Sequence, residues 1–395
     1  MKILVLNSGS SSIKFQLIEM PSKIMICSGL VERIGSKDAV LNYKTKTVDI
    51  QEVLAIETYK LGLESVVDLL LDSEKGVISS TDEIEAIGHR VVHGGNSFSN
   101  TTLITKKVKE EIKKFCPLAP LHNPNNLQGI LIAEELFPFA KQIAVFDTAF
   151  HQTMPRKANK YAIPNELYEH GIQIYGFHGI SHKYVSEKAI EFMGLEKSKI
   201  ITLHLGNGCS MTAIENGMSI DHSLGFTPSN GLIMGTRSGD IDHSIVFYLV
   251  NTLGYSLDEV NNLLTKNSGM LGLTGYSDLR DIIAEAKNGN KECELALIMN
   301  AYRIKKYIGA YTAVMNGLDA IVFTAGIGEN ADLIRKLVCE DMDYLGIELD
   351  ESRNEQKSKA LREINTLNSK VKILVIPTNE EIEIAKQSFS LIKNE

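Results

Sequence analysis

The chain reads as an α/β protein of two similar lobes with a cleft between them, and three observations carry that reading. Apolar runs of strand length at 3–6, 86–92, 143–146, 201–205, 320–324 and 371–376 alternate with helical stretches at 57–71, 106–115 and 296–315. Glycine-containing segments follow several of the strand-like runs. A strand–loop–strand pattern also occurs twice: ILVLNSGSSSIKFQL at 3–17 aligns with IITLHLGNGCSMTAI at 200–214, with Gly9 on Gly208 and Ser11 on Ser210. Such an echo is what a duplicated α/β unit leaves behind. The expected division is 1–147 and 148–381, with the C-terminal helix 382–395 returning to complete the first unit.

The first element pairs an apolar strand with Asn7-Ser8-Gly9-Ser10-Ser11-Ser12, and a second strand follows Lys14. Small hydroxyl residues around one glycine let backbone N–H groups and the Ser10 and Ser12 hydroxyls approach phosphates. Lys14 adds a point charge, and Asn7 can serve a hydrated Mg²⁺. The GxxxxGK[ST] loop is absent, and strand rather than helix follows.

Gly88-His89-Arg90-Val91-Val92-His93-Gly94-Gly95 closes the next strand. Arginine presents a planar fork that matches a carboxylate or phosphate in a bidentate way, so Arg90 is the anion-binding candidate. The competing reading pairs Arg90 with a buried acid. His89 and His93 read as supporting or core histidines rather than metal ligands. Asp147 ends the strand of Val145-Phe146-Asp147-Thr148, where it can reach a ligand, a metal or an arginine, or else cap the following turn. His178, in Tyr175-Gly176-Phe177-His178-Gly179, is placed to donate to a phosphoryl oxygen or to serve the core.

Four later segments extend the pattern. His204-Leu205-Gly206-Asn207-Gly208 is a second phosphate-type loop. Gly235-Thr236-Arg237-Ser238-Gly239-Asp240 offers another glycine-bounded arginine. Gly326-Ile327-Gly328-Glu329-Asn330 follows a strand and opens a helix expected near Ala331, and Asp278-Leu279-Arg280 can contact base or ribose.

With 44% apolar residues over 395 positions the chain can bury a large core. A net charge of −8 argues against nucleic acid as a partner and leaves anion binding to local arginines. The short apolar start is no signal peptide, and no apolar run approaches the roughly 18 residues that span a bilayer. A cytoplasmic protein without membrane contact is expected. Cys27, Cys116, Cys209, Cys293 and Cys339 form no CxxC pair, consistent with reduced thiols.

NSGSSSIK at 7–14, GHRVVHGG at 88–95, FDTAFH at 146–151, YGFHGISH at 175–182, HLGNG at 204–208, GTRSGD at 235–240, AGIGEN at 325–330 and PTNEE at 377–381 resemble the acetate kinase family, in order and from end to end. The resemblance implies two ribonuclease-H-like domains of the actin, Hsp70 and sugar kinase superfamily, with an interdomain active-site cleft. It implies a homodimer that runs ATP plus acetate to ADP plus acetyl phosphate reversibly, with Mg²⁺ or Mn²⁺. Carried over by position, the metal falls to Asn7 and Glu380 and nucleotide contact to Lys14, and Arg90 binds substrate. Asp147, His178 and Arg237 become the catalytic set, and His122 lies near the phosphoryl path. The nucleotide falls to 204–208, 278–280 and 326–330. Val92, Leu121, Phe177 and Pro228 form the acyl pocket. Ser229-Asn230-Gly231 departs from the family pattern, which has a bulkier residue followed by Glu, so acyl-chain preference stays open. A propionate or other short-chain fatty acid kinase is the sister alternative, and an ATP-driven binding protein the more distant one.

Overall fold

The computed structural model describes residues 1–120 and 122–394. The chain forms two compact units, Met1–Gln152 with Asn379–Glu395, and Thr153–Thr378. The first unit carries an eight-stranded sheet. β1 (Lys2–Ser8), β2 (Ser12–Glu19), β3 (Ile24–Glu32), β4 (Ser36–Lys44) and β5 (Asp49–Ile56) form an antiparallel meander. β6 (Ile84–Val91) runs parallel to β1, β8 (Lys141–Phe146) runs parallel to β6, and the short β7 (Thr102–Leu103) lies antiparallel to β8. The sheet order is β5-β4-β3-β2-β1-β6-β8-β7.

The second unit repeats the central pattern. β9 (Lys199–Leu205), β10 (Cys209–Glu215) and β11 (Met218–His222) are antiparallel, and β12 (Ala320–Thr324) and β14 (Lys372–Val375) follow β9 in parallel. β13 (Arg362–Glu363) closes the edge in the order β11-β10-β9-β12-β14-β13. In both sheets the first strand of an antiparallel meander runs parallel to the next strand of the series, which in turn is parallel to a later one. The sequence echo therefore falls on equivalent hairpins, β1–β2 and β9–β10.

Burial explains the strand sequences. Central parallel strands are covered on both faces and read as unbroken apolar runs: Ile3 to Leu6 of β1 and Ala320 to Phe323 of β12 are all buried. The outer strand β5 alternates exposed and partly covered residues, as a strand with one free face does. Helix Tyr59–Leu71 starts where the Thr58 side chain accepts from the Leu61 N–H, and its Leu63, Val66 and Leu70 join the core with Phe15, Leu17 and Tyr43. The last helix, Glu380–Lys393, packs on β1 and β6. Gly88 of β6 permits that approach, because a Cβ there would sit 2.7 Å from Ile384 Cγ2 and 2.8 Å from Ser388 Oγ. Helix Ser244–Asn251 behaves otherwise: its sequence is apolar, yet none of its residues is buried and Phe247 and Tyr248 stand exposed.

Two boundaries differ from expectation. The chain passes between units after Gln152 rather than Asp147, because Thr148 Oγ1 accepts from the Gly94 N–H and Gln152 Nε2 donates to Gly95 O, tying this segment back to the first unit. Glu380 and Glu381 likewise belong to the first unit, since they open its last helix. A third difference concerns local conformation. Ala325–Asn330 is itself a helix, capped at Thr324, and a second helix, Asp332–Cys339, follows it.

Candidate active site

In the first unit the strand register assembles the polar residues. Leu6 of β1 pairs with His89 of β6, and Arg90 and Val91 pair with Val145 and Phe146 of β8. Asn7, Arg90 and Asp147 thus come together at the carboxyl ends of neighbouring parallel strands. Arg90 Nε donates to Asp147 Oδ2 at 3.1 Å, Nη2 donates to the same oxygen, and Nη1 donates to Asn7 Oδ1 at 3.3 Å. Three of the five guanidinium N–H groups are thereby used. Glu380 Oε2 lies 3.9 Å from Arg90 Nε, and Lys14 Nζ pairs with Glu381 Oε1 at 2.6 Å.

The reading of Arg90 as the partner of a buried acid is therefore part of the answer: Asp147 is 1% exposed and holds the guanidinium from one side. Burial by itself would lower the Arg90 pKa, but the charges of Asp147 and Glu380 outweigh it and raise it. Burial raises the Glu380 carboxyl against the opposing pull of Arg90. Asp147 Oδ1 is buried with no hydrogen-bond partner among the described residues, an acceptor held out of water. His89 bonds through Nε2 to Gln142 Oε1 at 2.7 Å, and burial pushes its pKa down to about 4, as it does for His93. These two histidines are neutral core groups, as the sequence suggested.

In the second unit His178 caps helix Gly179–Met193 in the left-handed conformation, with φ 57°. Its ring stacks on His204 with centroids 4.3 Å apart, and its Nδ1 lies 2.9 Å from Ser210 Oγ. His204 Nδ1 bonds to Ser181 Oγ at 2.8 Å, and that hydroxyl bonds to Thr378 Oγ1 at 2.8 Å. Arg237 Nη1 donates to the carbonyl of Pro228, and no carboxylate pairs with Arg237 among the described residues. Burial holds its pKa below the ordinary arginine value. Gly208 is what lets Arg237 and His178 approach the loop: a Cβ there would meet Arg237 Nη2 at 2.7 Å and the His178 ring at about 3.5 Å.

The same unit holds a cavity of about 690 Å³. Leu205, Gly206, Asn207, Asp278, Leu279, Arg280, Gly326, Ile327 and Asn330 line it. His204, Gly208, Gly328 and Glu329 fall outside the lining. Gly328 gives its carbonyl to the buried Arg335, and Glu329 Oε1 accepts from the Thr378 N–H, because the helix Ala325–Asn330 turns these two residues inward. Sequence reading missed Ile233, Met234, Met270, Ile283 and Asn300 in the wall. Apolar residues there carry no signal distinguishing them from core.

Lys14, Ser10 and Ser12 belong to the first unit, with Lys14 already in an ion pair. His122 precedes helix Asn123–Leu136. Val92 and Phe177 are buried and Pro228 half-buried. Leu121 lies outside the described residues. Among the described residues no helix is long and apolar enough to cross a membrane, and no group of three or more His, Cys, Asp or Glu is placed to hold a metal ion. A cation in the first unit would therefore rely on the amide oxygen of Asn7 beside the carboxylates of Glu380 and Asp147. Such hard oxygen donors, few in number, suit an ion that keeps most of its waters.

Two α/β units of one topology, one with an arginine–carboxylate cluster and the other with a nucleotide-sized cavity, histidines and a second arginine, are the framework of a phosphoryl-transfer protein. The acetokinase family model matches residues 2–386, and the chain belongs to that family. It is 64% identical to the acetate kinase of Flavobacterium johnsoniae over all of both chains. Among solved structures, Porphyromonas gingivalis acetate kinase matches at a TM-score of 0.93 with 44% identity, covering 99% of each chain. A propionate kinase from Francisella tularensis matches at 0.92 with 45% identity over 98% of each.

Proposed function

We propose that the chain is an acetate kinase, transferring the γ-phosphoryl group of ATP reversibly to acetate to give acetyl phosphate and ADP. The observation that carries this is 64% identity over the full length of both chains to an acetate kinase, together with an arginine at a strand end, Arg90, that keeps two N–H donors unpaired among the described residues.

A carboxylic acid of ordinary pKa, about 4, is already ionised near neutrality, so no general base is needed to activate acetate. Asp147 then serves as the group that orients Arg90 toward the acceptor carboxylate. Val92, Leu121, Phe177 and Pro228 are assigned to the acyl methyl and His122 to the phosphoryl path. In the second unit, the cavity takes the nucleotide, and Arg237 and His178 supply positive charge and a hydrogen bond to the transferring group. Phosphoryl transfer passes through a loose, in-line transition state, where positioning and charge neutralisation supply most of the catalysis. Asn7 and Glu380 are the residues that would hold a divalent cation, Mg²⁺ or Mn²⁺, whose contribution when bound is to neutralise phosphate charge.

Pairing with a second copy belongs to the same reading, and the exposed apolar helix Ser244–Asn251 supports it. Light scattering in solution should return twice the mass of one chain; a single-chain mass overturns the dimer.

The reaction is tested by ATP turnover with Mg²⁺ against acetate, propionate, butyrate and glycerol, trapping acyl phosphate as the hydroxamate. Hydroxamate strongest with acetate and lost in Arg90→Ala is expected. A maximum at propionate moves the chain to the sister activity carried by the Francisella tularensis relative, with the Ser229-Asn230 rim as the first place to look. ATP hydrolysis without hydroxamate overturns the kinase assignment.

A further inference from the structure

Behind His178 runs a chain of buried groups that phosphoryl transfer, as drawn from Arg237 and His178 alone, does not use. His178 Nδ1 lies 2.9 Å from Ser210 Oγ, Ser210 Oγ lies 2.7 Å from His182 Nε2, and His182 Nδ1 lies 2.7 Å from Thr202 Oγ1. Ser210, His182 and Thr202 are wholly buried. A hydroxyl carries one proton, and a neutral imidazole carries one on either nitrogen. The direction of every bond in this chain is therefore linked to the next.

Only one direction satisfies all the protons. If Thr202 donates to His182 Nδ1, then His182 carries its proton on Nε2 and donates to Ser210. Ser210 in turn donates to His178 Nδ1, which leaves the His178 proton on Nε2. Reversed, His178 Nδ1–H donates to Ser210, Ser210 to His182 Nε2, and His182 Nδ1–H to Thr202. The Thr202 hydroxyl proton is then stranded, because this is the one hydrogen bond that hydroxyl makes among the described residues. A buried donor without an acceptor is costly, so the first direction prevails.

We propose that Thr202, His182 and Ser210 are positioning residues that lock His178 as the neutral tautomer with its proton on Nε2. The nitrogen carrying the proton is then the one beside Gly208, where Arg237 Nη2 also approaches. The proposal rests on the reading of His178 as a donor to the transferring phosphoryl group. Within that reading the relay keeps the donor loaded and spares the site a reorganisation at the moment charge develops. His204, stacked on the same ring, and Arg237 are the titratable and charged neighbours on the other sides. A positive guanidinium at hand works in the same direction, against a second proton on His178.

The neighbouring histidine provides an internal contrast. The Phe177 N–H donates to His222 Nε2 at 3.1 Å, so His222 must hold its proton on Nδ1, facing Thr212 Oγ1 at 2.8 Å. Two histidines of one unit are thus fixed as opposite tautomers.

Two-bond ¹H–¹⁵N spectra of the uniformly labelled full-length protein near neutral pH read ring tautomers directly, with His178→Gln and His222→Gln providing the assignments. His178 should appear as the neutral Nε2–H form and His222 as Nδ1–H. Thr202→Val, whose altered atom does not touch His178, should give a mixture of His178 tautomers. Its kcat should fall on the order of 10-fold, less than the roughly 100-fold that loss of a whole donor brings, with nucleotide and acetate KM unchanged. Ser210→Ala should do the same and Ser210→Thr, which keeps a hydroxyl, should restore kcat. A protonated Nδ1 on wild-type His178, or a Thr202→Val spectrum and kcat identical to wild type, overturns the relay. Full activity in His178→Gln overturns the phosphoryl-donor role instead, and leaves the spectral result standing or falling on its own.

Discussion

The two units present an arginine in opposite electrostatic settings. In the first, Arg90 is gripped by Asp147 and flanked by Glu380, while Lys14 of β2 forms a second ion pair with Glu381, the neighbour of Glu380 on the last helix. In the second, Arg237 has a backbone carbonyl for a partner and no carboxylate among the described residues, amid hydroxyls and imidazoles. One repeated sheet thus supports a neutralised, tightly oriented cation and an uncompensated one. An uncompensated buried charge is held at a cost that an incoming anion can relieve, whereas a paired one is suited to orientation.

Removing the acid that holds Arg90, and removing Arg237 itself, should separate these cases. Asp147→Ala leaves a partly buried guanidinium without its acid, so stability should fall by about 3 kcal/mol along with a loss of turnover of about 10³-fold. Arg237→Ala should cut kcat by about 10²-fold or more, yet leave unfolding free energy unchanged or raised, because it removes a partly buried charge that has no counter-ion among the described residues. Urea unfolding and steady-state kinetics on the two variants check this together. Equal destabilisation by both substitutions would erase the contrast between the units.

A smaller effect should appear in acid. His89 has a folded pKa of about 4, below the unfolded value of about 6.5. The stability it contributes is present above pH 6.5 and is lost as pH falls toward 4, by up to about 3 kcal/mol. Asp221 in the second unit is pushed up to about 6 by burial. Its folded form holds the proton more tightly than the unfolded chain, so it works the other way, favouring the fold as pH drops from about 6 toward 4. His89→Gln should therefore flatten the loss of unfolding free energy between pH 6.5 and 4, and Asp221→Asn should steepen it. Urea titrations at a series of pH values decide, and slopes that both substitutions leave unaltered would remove the histidine and the aspartate as sources of the pH dependence.

How much of this was legible in the sequence depends on the residue. Asn7, Arg90 and Asp147 could each be placed at a strand end, because short apolar runs stop beside them. That Arg90 bonds to Asp147 depends on β6 lying beside β8, a pairing across 57 residues that no local pattern encodes. Ser210 was visible as the counterpart of Ser11 in the echo, yet its use as a bridge between two histidines was not. A serine in a strand carries no mark of which side chains will face it. Met234 and Met270, in the wall of the cavity, read from sequence like any core methionine.

The sequence by itself determined the α/β class, the doubled unit and the glycine-bounded motifs, because periodicity and steric permissiveness are local properties of the chain. Tertiary structure decided the rest. Only the folded chain drew Glu380 and Glu381 into the last helix and so into the first unit, and only burial shifted the titration of particular acids, histidines and arginines. Those outcomes depend on desolvation and on long-range proximity, and both exist only once the chain has closed on itself.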